Sequence, residues 1–600
     1  MKRRIAAALI AFISVPAFAA TSTSTDEHIR RVQEGIVPPV LVTGESPAMP
    51  SLSQRMAELK VPGVSIAVIH QGRIEWARGF GVTRTGGAPV TPDTLFQSAS
   101  ISKPVFALAV LHLVDAGKLK LDTNVNDYLK DWKVPDNEFT AEKKVTLRGI
   151  LSHSAGLTVH GFPGYAANAP VPTTVQILNG TTPANSAAIR VDVIPGTHFR
   201  YSGGGYVIAQ QLLSDLTGVP LPKLMRDTVL APLGMTRSTF EQPLPAARAP
   251  EIALPYDSNG KPIEGGPHTY PEMAPAGLWT TPTDLARYAL SVQAALAGKS
   301  KKMISASTAR AMVTPVLENH GIGPATGGST ARKFFTHGGS NAGYRCVLLA
   351  YEDGEGAIVM TNSDSGGRLM GEVMRTIAHI YQWPDFAPPT RTLAEVKPEL
   401  LDRYLGAYEL GEGSIYVVRK DADRLVGHEI GRAPVALFPS SEAELFARDV
   451  DLVVNFTLDD KGAATAIRQR LGGRERGGSR AEEARSRRIM ASAEQTAQRF
   501  KDQKPHPDSE SALRLLFAGL ASGKPDYERM SPRLAEVTRE QLPTLQKDLV
   551  ELGALKALKF VRVIPEGEDE FDADFENGGL RTSLRMNDEG RVETARLRPR

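Results

Sequence analysis

The sequence predicts a protein in which helices cover an antiparallel sheet, followed by a small all-β module and then a small α+β module. Two hairpins that lie far apart in the chain predict the sheet. Residues 61–84 alternate apolar and polar side chains around the turn Gln71-Gly72, and residues 345–364 carry a similar pattern around an Asp-Gly-Glu-Gly turn. Because helices and Gly/Pro-rich loops fill most of the chain between them, we expect both hairpins to belong to one sheet with helices packed on it.

A Pro-rich segment, residues 383–392, is predicted to end this first domain, which occupies residues 51–385. Short strands with turn signals follow, and they predict a small β-barrel or sandwich over residues 396–480. Helical segments and then about three strands predict an α+β module over residues 482–600. Residues 20–50 are polar and rich in Pro, so we predict a flexible lead-in there.

The N-terminus has the pattern of a secretory signal. A basic start precedes a short apolar run, and the run ends in Ala17-Phe18-Ala19, which fits a cleavage site made of small residues. The run is too short to span a bilayer, and no later apolar run reaches about 18 residues. The sequence therefore predicts a signal peptide over residues 1–19 and a periplasmic or secreted mature protein without a membrane span.

Charge and cysteine content exclude several classes of function. The chain has 70 Lys and Arg against 67 Asp and Glu, and three of the basic residues lie in the predicted signal. The mature protein is then nearly neutral, so nucleic acid is not an expected partner. Cys346 is the single cysteine, so no internal disulfide is expected. The sequence contains neither a Gly-x-Ser-x-Gly elbow nor a His-Glu-x-x-His helix, which argues against an α/β-hydrolase and a zinc hydrolase.

One short stretch places three serines, Ser98, Ser100 and Ser102, just before Lys103 and Pro104. Side chains three residues apart share one face of a helix, so Lys103 faces Ser100. Pro104 fits only the first helical turn, which places the helix start near Ser100. The apolar run that follows predicts that this helix is buried. A buried lysine within reach of a serine hydroxyl can accept its proton and so create a nucleophile.

A Ser-x-x-Lys pair alone is weak evidence, because roughly two such pairs arise by chance in a chain of this length. Ser258 and Lys261 form one inside a turn. Several further segments, in the expected order, resemble the serine β-lactamase and penicillin-binding-protein-like hydrolases. The closest resemblance is to the class C-related branch, which includes D-Ala-D-Ala carboxypeptidases, D-aminopeptidases and β-lactamase-like esterases. The segments that carry it are residues 95–103, 147–157, 199–218, 275–289 and 334–351.

The resemblance implies a β-lactamase/transpeptidase-like fold, with a helical subdomain beside the helix-flanked sheet, and a serine hydrolase mechanism. Ser100 would attack a carbonyl carbon and carry the acyl group, and Lys103 would activate it. Tyr201 matches the tyrosine of the family's Tyr-x-Asn motif and would assist as a base and then protonate the leaving group. The substrates implied are small molecules or peptides, cell-wall fragments among them, and no cofactor or metal is expected.

The resemblance also assigns residues that bind substrate. His337, Gly338 and Gly339 match the family's Lys/His-x-Gly motif on the strand that lines the site. Glycine there lets a substrate approach the backbone. The N–H groups of Ser100 and Ser340 would form the oxyanion hole.

Two departures from the family pattern bear on the substrate. Gly203 stands where class C β-lactamases carry an asparagine that would bind a substrate amide, and His337 stands in place of lysine. We therefore expect an ester or a D-amino-acid-containing peptide rather than a β-lactam. The alternative is a catalytically inactive sensor or scaffold protein on the same fold, in agreement with Gly203 and the two additional modules.

An acidic run near the C-terminus is the remaining cluster of charge. It consists of Glu568, Asp569, Glu570, Asp572 and Asp574. We predict that it forms a solvated strand face rather than a cation site.

Overall fold

The computed structural model describes residues 25–411 and 414–599 of the chain. The predicted signal peptide, residues 1–19, lies outside the described residues. Within the described part, no helix combines the length and apolarity needed to cross a membrane.

The first compact unit contains residues up to 37 and residues 49–387, and its centre is an antiparallel sheet. Among the described residues its strands are β1 Gly63–His70, β2 Arg73–Gly81, β3 Ala325–Gly328, β4 Lys333–Asn341, β5 Tyr344–Tyr351 and β6 Gly356–Thr361. They lie in the order β2-β1-β6-β5-β4-β3. Strand β1 pairs with β6, with Val64 opposite Thr361, so the two distant hairpins form one sheet, as predicted.

Helices cover both faces of this sheet. The described helices of this unit are α1 Thr25–Glu34, α2 Leu52–Glu58, α3 Ser102–Asp115, α4 Glu138–Glu142, α5 Leu147–Leu151, α6 Thr174–Asn179, α7 Gly203–Thr217, α8 Leu221–Met225, α9 Met273–Ala276, α10 Pro282–Leu296, α11 Ala306–Met312 and α12 Gly366–Ile380. Of these, α10 packs against β1 and β6, and α12 packs against β5 and β6. On β1, Val64, Ile66 and Val68 belong to the core beneath α12, whereas Ala67 and Ile69 belong to the core that contains α3 and α10. Burial on both faces explains why this strand is almost wholly apolar.

The prediction of a flexible lead-in over residues 20–50 is wrong for residues 25–34, which form helix α1. Ile29 and Val32 of this helix are buried in the core beneath α12. Two apolar side chains three residues apart provide too short a periodic signal to be recognised in a polar, Pro-rich setting.

The second compact unit contains residues 38–48 and those from 388 onward. It begins with a short parallel pair, Leu41–Val42 with Thr390–Arg391, and helix α13, Pro398–Leu401. Described strands then close a barrel: β7 Gly406–Glu409, β8 Ile415–Asp421, β9 Arg424–Glu429, β10 Val435–Pro439, β11 Glu444–Ala447, β12 Leu452–Leu458, β13 Ala464–Leu471 and β14 Arg474–Arg480. The barrel resolves the choice between barrel and sandwich that the sequence leaves open.

An α+β module follows the barrel. Its helices are α14 Glu483–Asp502, α15 Ser509–Ser522 and α16 Pro532–Leu552. Its described strands form an antiparallel meander of β15 Leu555–Val563, β16 Asp569–Phe575, β17 Gly578–Met586 and β18 Val592–Pro599. The predicted fold class, a helix-flanked sheet followed by an all-β and an α+β module, is thus confirmed.

The acidic run does not form the solvated face that the sequence predicts, because two of its members are buried. Glu568 and Asp569 are each 1% exposed. Ser583 donates to Glu568 at 2.6 Å, and Arg499 forms an ion pair with Asp569 at 2.5 Å. The run therefore joins strands and helices of the module through paired charges. Among the described residues no group of Asp, Glu, His and Cys is arranged to hold a metal ion.

Candidate active site

The three serines at the start of α3 have different partners. Ser98 Oγ donates to the Leu278 carbonyl at 3.1 Å, and Ser102 Oγ accepts the Leu278 N–H at 3.0 Å. Ser100 Oγ instead accepts a hydrogen bond from Lys103 Nζ at 3.0 Å. The two flanking hydroxyls thus attach the helix to the neighbouring chain, and the Ser100 hydroxyl is the one that contacts the lysine.

The backbone around Ser100 is a tight 3₁₀ turn, Ala99–Ile101, which leads into α3 at Ser102. The helix therefore begins two residues later than the motif predicts. Ala99 has a φ of +48°, in the left-handed region that residues with a Cβ adopt at a cost in energy. This turn places Ser100 outside the regular helix while Lys103 remains in its first turn.

Lys103 is held in a buried position. Its residue is 2% exposed, and its Nζ also donates to the Pro275 carbonyl of α9 at 3.0 Å. The same atom lies 4.9 Å from the centre of the Tyr201 ring. It also lies 5.7 Å from the centre of the Tyr206 ring. Two hydrogen bonds and two aromatic rings therefore hold the amine beside the Ser100 hydroxyl.

Tyr201 immediately precedes helix α7. Ser202 is the N-cap, and its Oγ accepts the Gly205 N–H at 3.0 Å. The Tyr201 ring stacks on the His153 imidazole at a centroid distance of 4.1 Å, and the His160 imidazole lies at 4.8 Å. The structure thus brings Ser100, Lys103 and Tyr201, which are distant in sequence, into one site.

Gly203 follows the cap, and the space beside it is filled. A Cβ at this position would lie 3.0 Å from Phe162 Cε2 and 3.2 Å from the His160 carbonyl oxygen. The Gly203 N–H also donates to that carbonyl at 3.0 Å. An asparagine here would have to displace the Phe162 ring. Because residue 203 is glycine, the site lacks a side-chain amide where the family pattern has one.

His337 is buried on β4 next to this group. Its Nδ1 lies 2.6 Å from the Gly338 carbonyl oxygen, so Nδ1 carries the proton and donates. Burial, together with the nearby Lys103 charge, lowers the pKa of His337 to about 3. His337 is therefore neutral at physiological pH, with an unprotonated Nε2 that has no hydrogen-bond partner in the described structure.

Strand β4 passes very close to the turn that holds Ser100. A Cβ on Gly339 would lie 2.2 Å from the Ser98 carbonyl oxygen and 2.3 Å from Cys346 Sγ. A Cβ on Gly338 would meet nothing closer than 3.9 Å. The sequence resemblance groups these two glycines together, but the structure gives only Gly339 a packing role next to Ser98.

We expect Gly339→Ala to damage the site and Gly338→Ala to be tolerated. The methyl group at 339 would push β4 away from the Ser100 turn, and overpacking of this kind costs roughly 1–3 kcal/mol of folding free energy. Urea unfolding and ester turnover of the two variants provide the measurement. Equal stability and equal turnover of the two variants would contradict this packing.

The site opens into a cleft of about 680 Å³. It is lined by Ser100, Lys103, His160, Gly161, Phe162, Tyr201, Pro275, Ala276, His320, Ala325, Thr336, His337, Gly338, Gly339, Ser340, Asn341, Cys346, Val347 and Met370. Lys103 is the one Lys or Arg among these described residues, and none of them is Asp or Glu. Ser340 is on the wall, where its N–H can serve the oxyanion role implied by the resemblance.

A carboxylic acid is buried just behind this wall. Glu272 precedes α9, which contains the Pro275 carbonyl that binds Lys103, and it is fully buried. Neither of its oxygens accepts a hydrogen bond of good geometry from a described donor, and the Tyr165 hydroxyl is the polar side-chain group beside it. Burial raises the pKa of Glu272 to about 7.

The raised pKa predicts that Glu272 makes folding stability fall with increasing pH. The folded state binds the proton more tightly than the unfolded chain, so the gain is complete below pH 4.5 and disappears as the pH rises through 7. We expect Glu272→Gln to remove this dependence, a relative change on the order of 3 kcal/mol between pH 4 and pH 8. Urea unfolding of both proteins at the two pH values measures it. A constant difference between them at both pH values would contradict the assignment.

Four residues in or next to the site are not predicted from the sequence: His153, His160, Phe162 and His320. His153 lies inside one of the segments that carry the family resemblance, so that segment was its only signal. The other three lie in loops without regular periodicity. Their closeness to Tyr201 and the cleft depends on long-range folding.

The structure thus places the Ser100 hydroxyl in contact with buried Lys103 at a cleft in a helix-flanked sheet fold. A family model described as Beta-lactamase matches residues 51–381, more than half of the chain. The chain belongs to the β-lactamase family and is a hydrolase of that family.

Individual relatives match this chain at low sequence identity. Penicillin-binding protein 4* of Bacillus subtilis (strain 168) is 22% identical over 438 residues, which cover 66% of this chain and 90% of that protein. Esterase EstB of Burkholderia gladioli is 29% identical over 218 residues, 35% of this chain and 54% of the relative. A solved structure, the octameric penicillin-binding protein homologue from Pyrococcus abyssi, is 22% identical and covers 71% of this chain and 98% of its own, with a TM-score of 0.46.

Proposed function

We propose that this protein hydrolyses uncharged esters through an acyl-enzyme on Ser100. The hydrogen bond of 3.0 Å between buried Lys103 Nζ and Ser100 Oγ is the observation that carries this proposal. It places a base next to one hydroxyl in a cleft large enough for a small-molecule substrate.

The proposed reaction has two stages. Lys103, in its neutral form, takes the Ser100 proton as Oγ attacks the ester carbonyl, and the N–H groups of Ser100 and Ser340 bind the resulting oxyanion. Tyr201 gives a proton to the alcohol that leaves, and the acyl group remains on Ser100. Lys103 returns the proton that it took from Ser100 to the Tyr201 oxygen and is again a base. Water then attacks the acyl-enzyme and gives a proton to Lys103, which passes it to Ser100 Oγ as the acid is released.

The charge of the cleft supports an uncharged substrate. Lys103 is occupied by Ser100 and Pro275, so the described lining offers no free Lys or Arg to bind a terminal carboxylate. Arg345 is opposite Ser340 across the strands, but it donates to the Asn341 carbonyl and pairs with Asp364 at 2.9 Å. A carboxypeptidase substrate would therefore lack a counter-charge here.

The chemistry around Gly203 supports an ester over an amide. An amide substrate presents an N–H and a carbonyl that a side-chain amide can bind in pairs, and Phe162 fills that region instead. Where a site lacks such groups, substrates that require them bind less tightly.

A substrate panel tests the proposal. We expect kcat/KM to be highest for p-nitrophenyl butyrate. The values for an acyl-D-Ala-D-Ala peptide, a D-amino-acid p-nitroanilide and nitrocefin should be lower by about tenfold or more, because the loss of one polar interaction with the substrate has an effect of this size. The variant Ala325→Lys, which adds a cation to the cleft, should improve the free-carboxylate peptide relative to the ester. Faster turnover of the D-Ala-D-Ala peptide by the unmodified protein would overturn the preference for esters.

We also propose that the mature protein is exported. The basic and then apolar pattern of residues 1–19 supports this location. Cell fractionation followed by N-terminal sequencing should find the protein outside the cytoplasm with residue 20 as its first residue. A cytoplasmic protein that retains residues 1–19 would contradict the proposal.

A further inference from the structure

Tyr201 is held from three directions by a single residue. The His153 carbonyl accepts the Arg200 N–H at 2.8 Å, and His153 Nδ1 accepts the Ser202 N–H at 3.1 Å. Between these two contacts, the His153 ring stacks on the Tyr201 ring at 4.1 Å with an interplanar angle of 28°. The backbone on either side of Tyr201 and its ring therefore all contact His153.

The backbone of His153 is adapted to this task. Its φ is +59°, in the left-handed region that residues with a Cβ seldom adopt. This conformation lets the carbonyl and the side chain of one residue reach the N–H groups of Arg200 and Ser202, on either side of Tyr201 in the segment before α7. Strain that the fold retains at such a position is a common feature of functional sites.

The imidazole also has an unpaired nitrogen. Because Nδ1 accepts a hydrogen bond, the neutral ring carries its proton on Nε2. His153 is 1% exposed, and Nε2 has no hydrogen-bond partner among the described residues. Burial and the Lys103 charge hold the pKa of His153 well below its usual range, so the ring stays neutral. An unpaired buried N–H weakens folding, so packing alone does not explain a histidine here.

We infer that His153 is a positioning residue that holds the Tyr201 hydroxyl in register with Lys103 and Ser100. This inference rests on the proposed proton transfer by Tyr201. His153 itself lies behind Tyr201 and is not among the residues that line the cleft. Its effect should therefore appear in the chemical step and not in substrate binding.

The test is a double-mutant cycle with Tyr201→Phe, measured as kcat and KM for p-nitrophenyl butyrate. His153→Gly keeps the left-handed backbone accessible and removes the ring. We expect it to lower kcat about 10- to 100-fold, with KM changed less than threefold, in the range of a disturbed general acid–base. In the Tyr201→Phe background the same change should have almost no further effect, because both act through one hydroxyl.

Two variants complete the design. His153→Asn tolerates the left-handed backbone and offers an oxygen to the Ser202 N–H, so it should recover part of kcat. His198→Asn makes the same exchange at an exposed position in the loop before Tyr201 and should leave kcat and KM unchanged.

The outcomes separate this inference from the function on which it rests. If Tyr201→Phe has full activity, the proposed role of Tyr201 fails. If Tyr201→Phe lowers kcat but His153→Gly leaves kcat unchanged, or lowers it equally in both backgrounds, Tyr201 retains its role and the positioning role of His153 is overturned. A rise in KM without a fall in kcat overturns it as well.

Discussion

Ser100→Ala is expected to lower kcat for ester hydrolysis by roughly 10⁴- to 10⁶-fold while the protein remains folded. The reason is that no other described hydroxyl of this stretch contacts Lys103: Ser98 and Ser102 hold residue 278 instead. Loss of a nucleophile in a serine hydrolase removes almost all of the covalent pathway. Steady-state kinetics with p-nitrophenyl butyrate measure the effect, and circular dichroism verifies the fold.

Ser98→Ala is the matched control. It removes one hydroxyl from the same turn and breaks only the bond to the Leu278 carbonyl, at a cost of about 1 kcal/mol in folding free energy. Its activity should stay close to that of the unmodified protein. Comparable losses in Ser98→Ala and Ser100→Ala would show that the turn, and not the Ser100 hydroxyl, is what matters.

Lys103→Met is the second change with a large expected effect. Methionine matches the buried stem of Lys103 in volume, but it cannot accept the Ser100 proton or donate to the Pro275 carbonyl. Removal of a general base lowers the rate by about 10²- to 10⁴-fold. We expect kcat to fall within that range and the rate of acylation in single-turnover experiments to fall equally.

Two comparisons make this result specific. Lys103→Arg retains a positive charge, yet its guanidinium cannot take up a proton, so it should be as inactive as the methionine variant. Lys118→Met removes an exposed lysine shortly after the same helix and should have no effect. An active Lys103→Arg variant would mean that charge alone, without proton transfer, supports the reaction.

The sequence predicts much of the sheet and the Ser100–Lys103 pair, because both produce local sequence patterns. Alternation around tight turns identifies the two hairpins, and a spacing of three residues places Lys103 beside Ser100. Tyr201 needs the resemblance to known hydrolases, since nothing local in its segment distinguishes a catalytic tyrosine from a buried one. The hairpins and the Ser100–Lys103 pair are predictable because each requires particular residue types at short separation in the sequence.

Other features depend on contacts that no local pattern encodes. Helix α1 is recognisable only once α12 covers Ile29 and Val32. The effect of Gly203 becomes clear only when the Phe162 ring is seen beside it. The buried part of the acidic run has the composition of a surface, and only the arginine and serine partners supplied by other elements explain its burial.

The most direct test of the central claim is to trap and locate the acyl-enzyme. The purified protein is incubated with a fluorophosphonate probe, digested, and analysed by mass spectrometry, with the Ser100→Ala variant treated in parallel. A nucleophilic Ser100 predicts one modified peptide with the adduct on Ser100 and no adduct in the variant. An adduct on a different residue, or equal labelling of the Ser100→Ala variant, would contradict it.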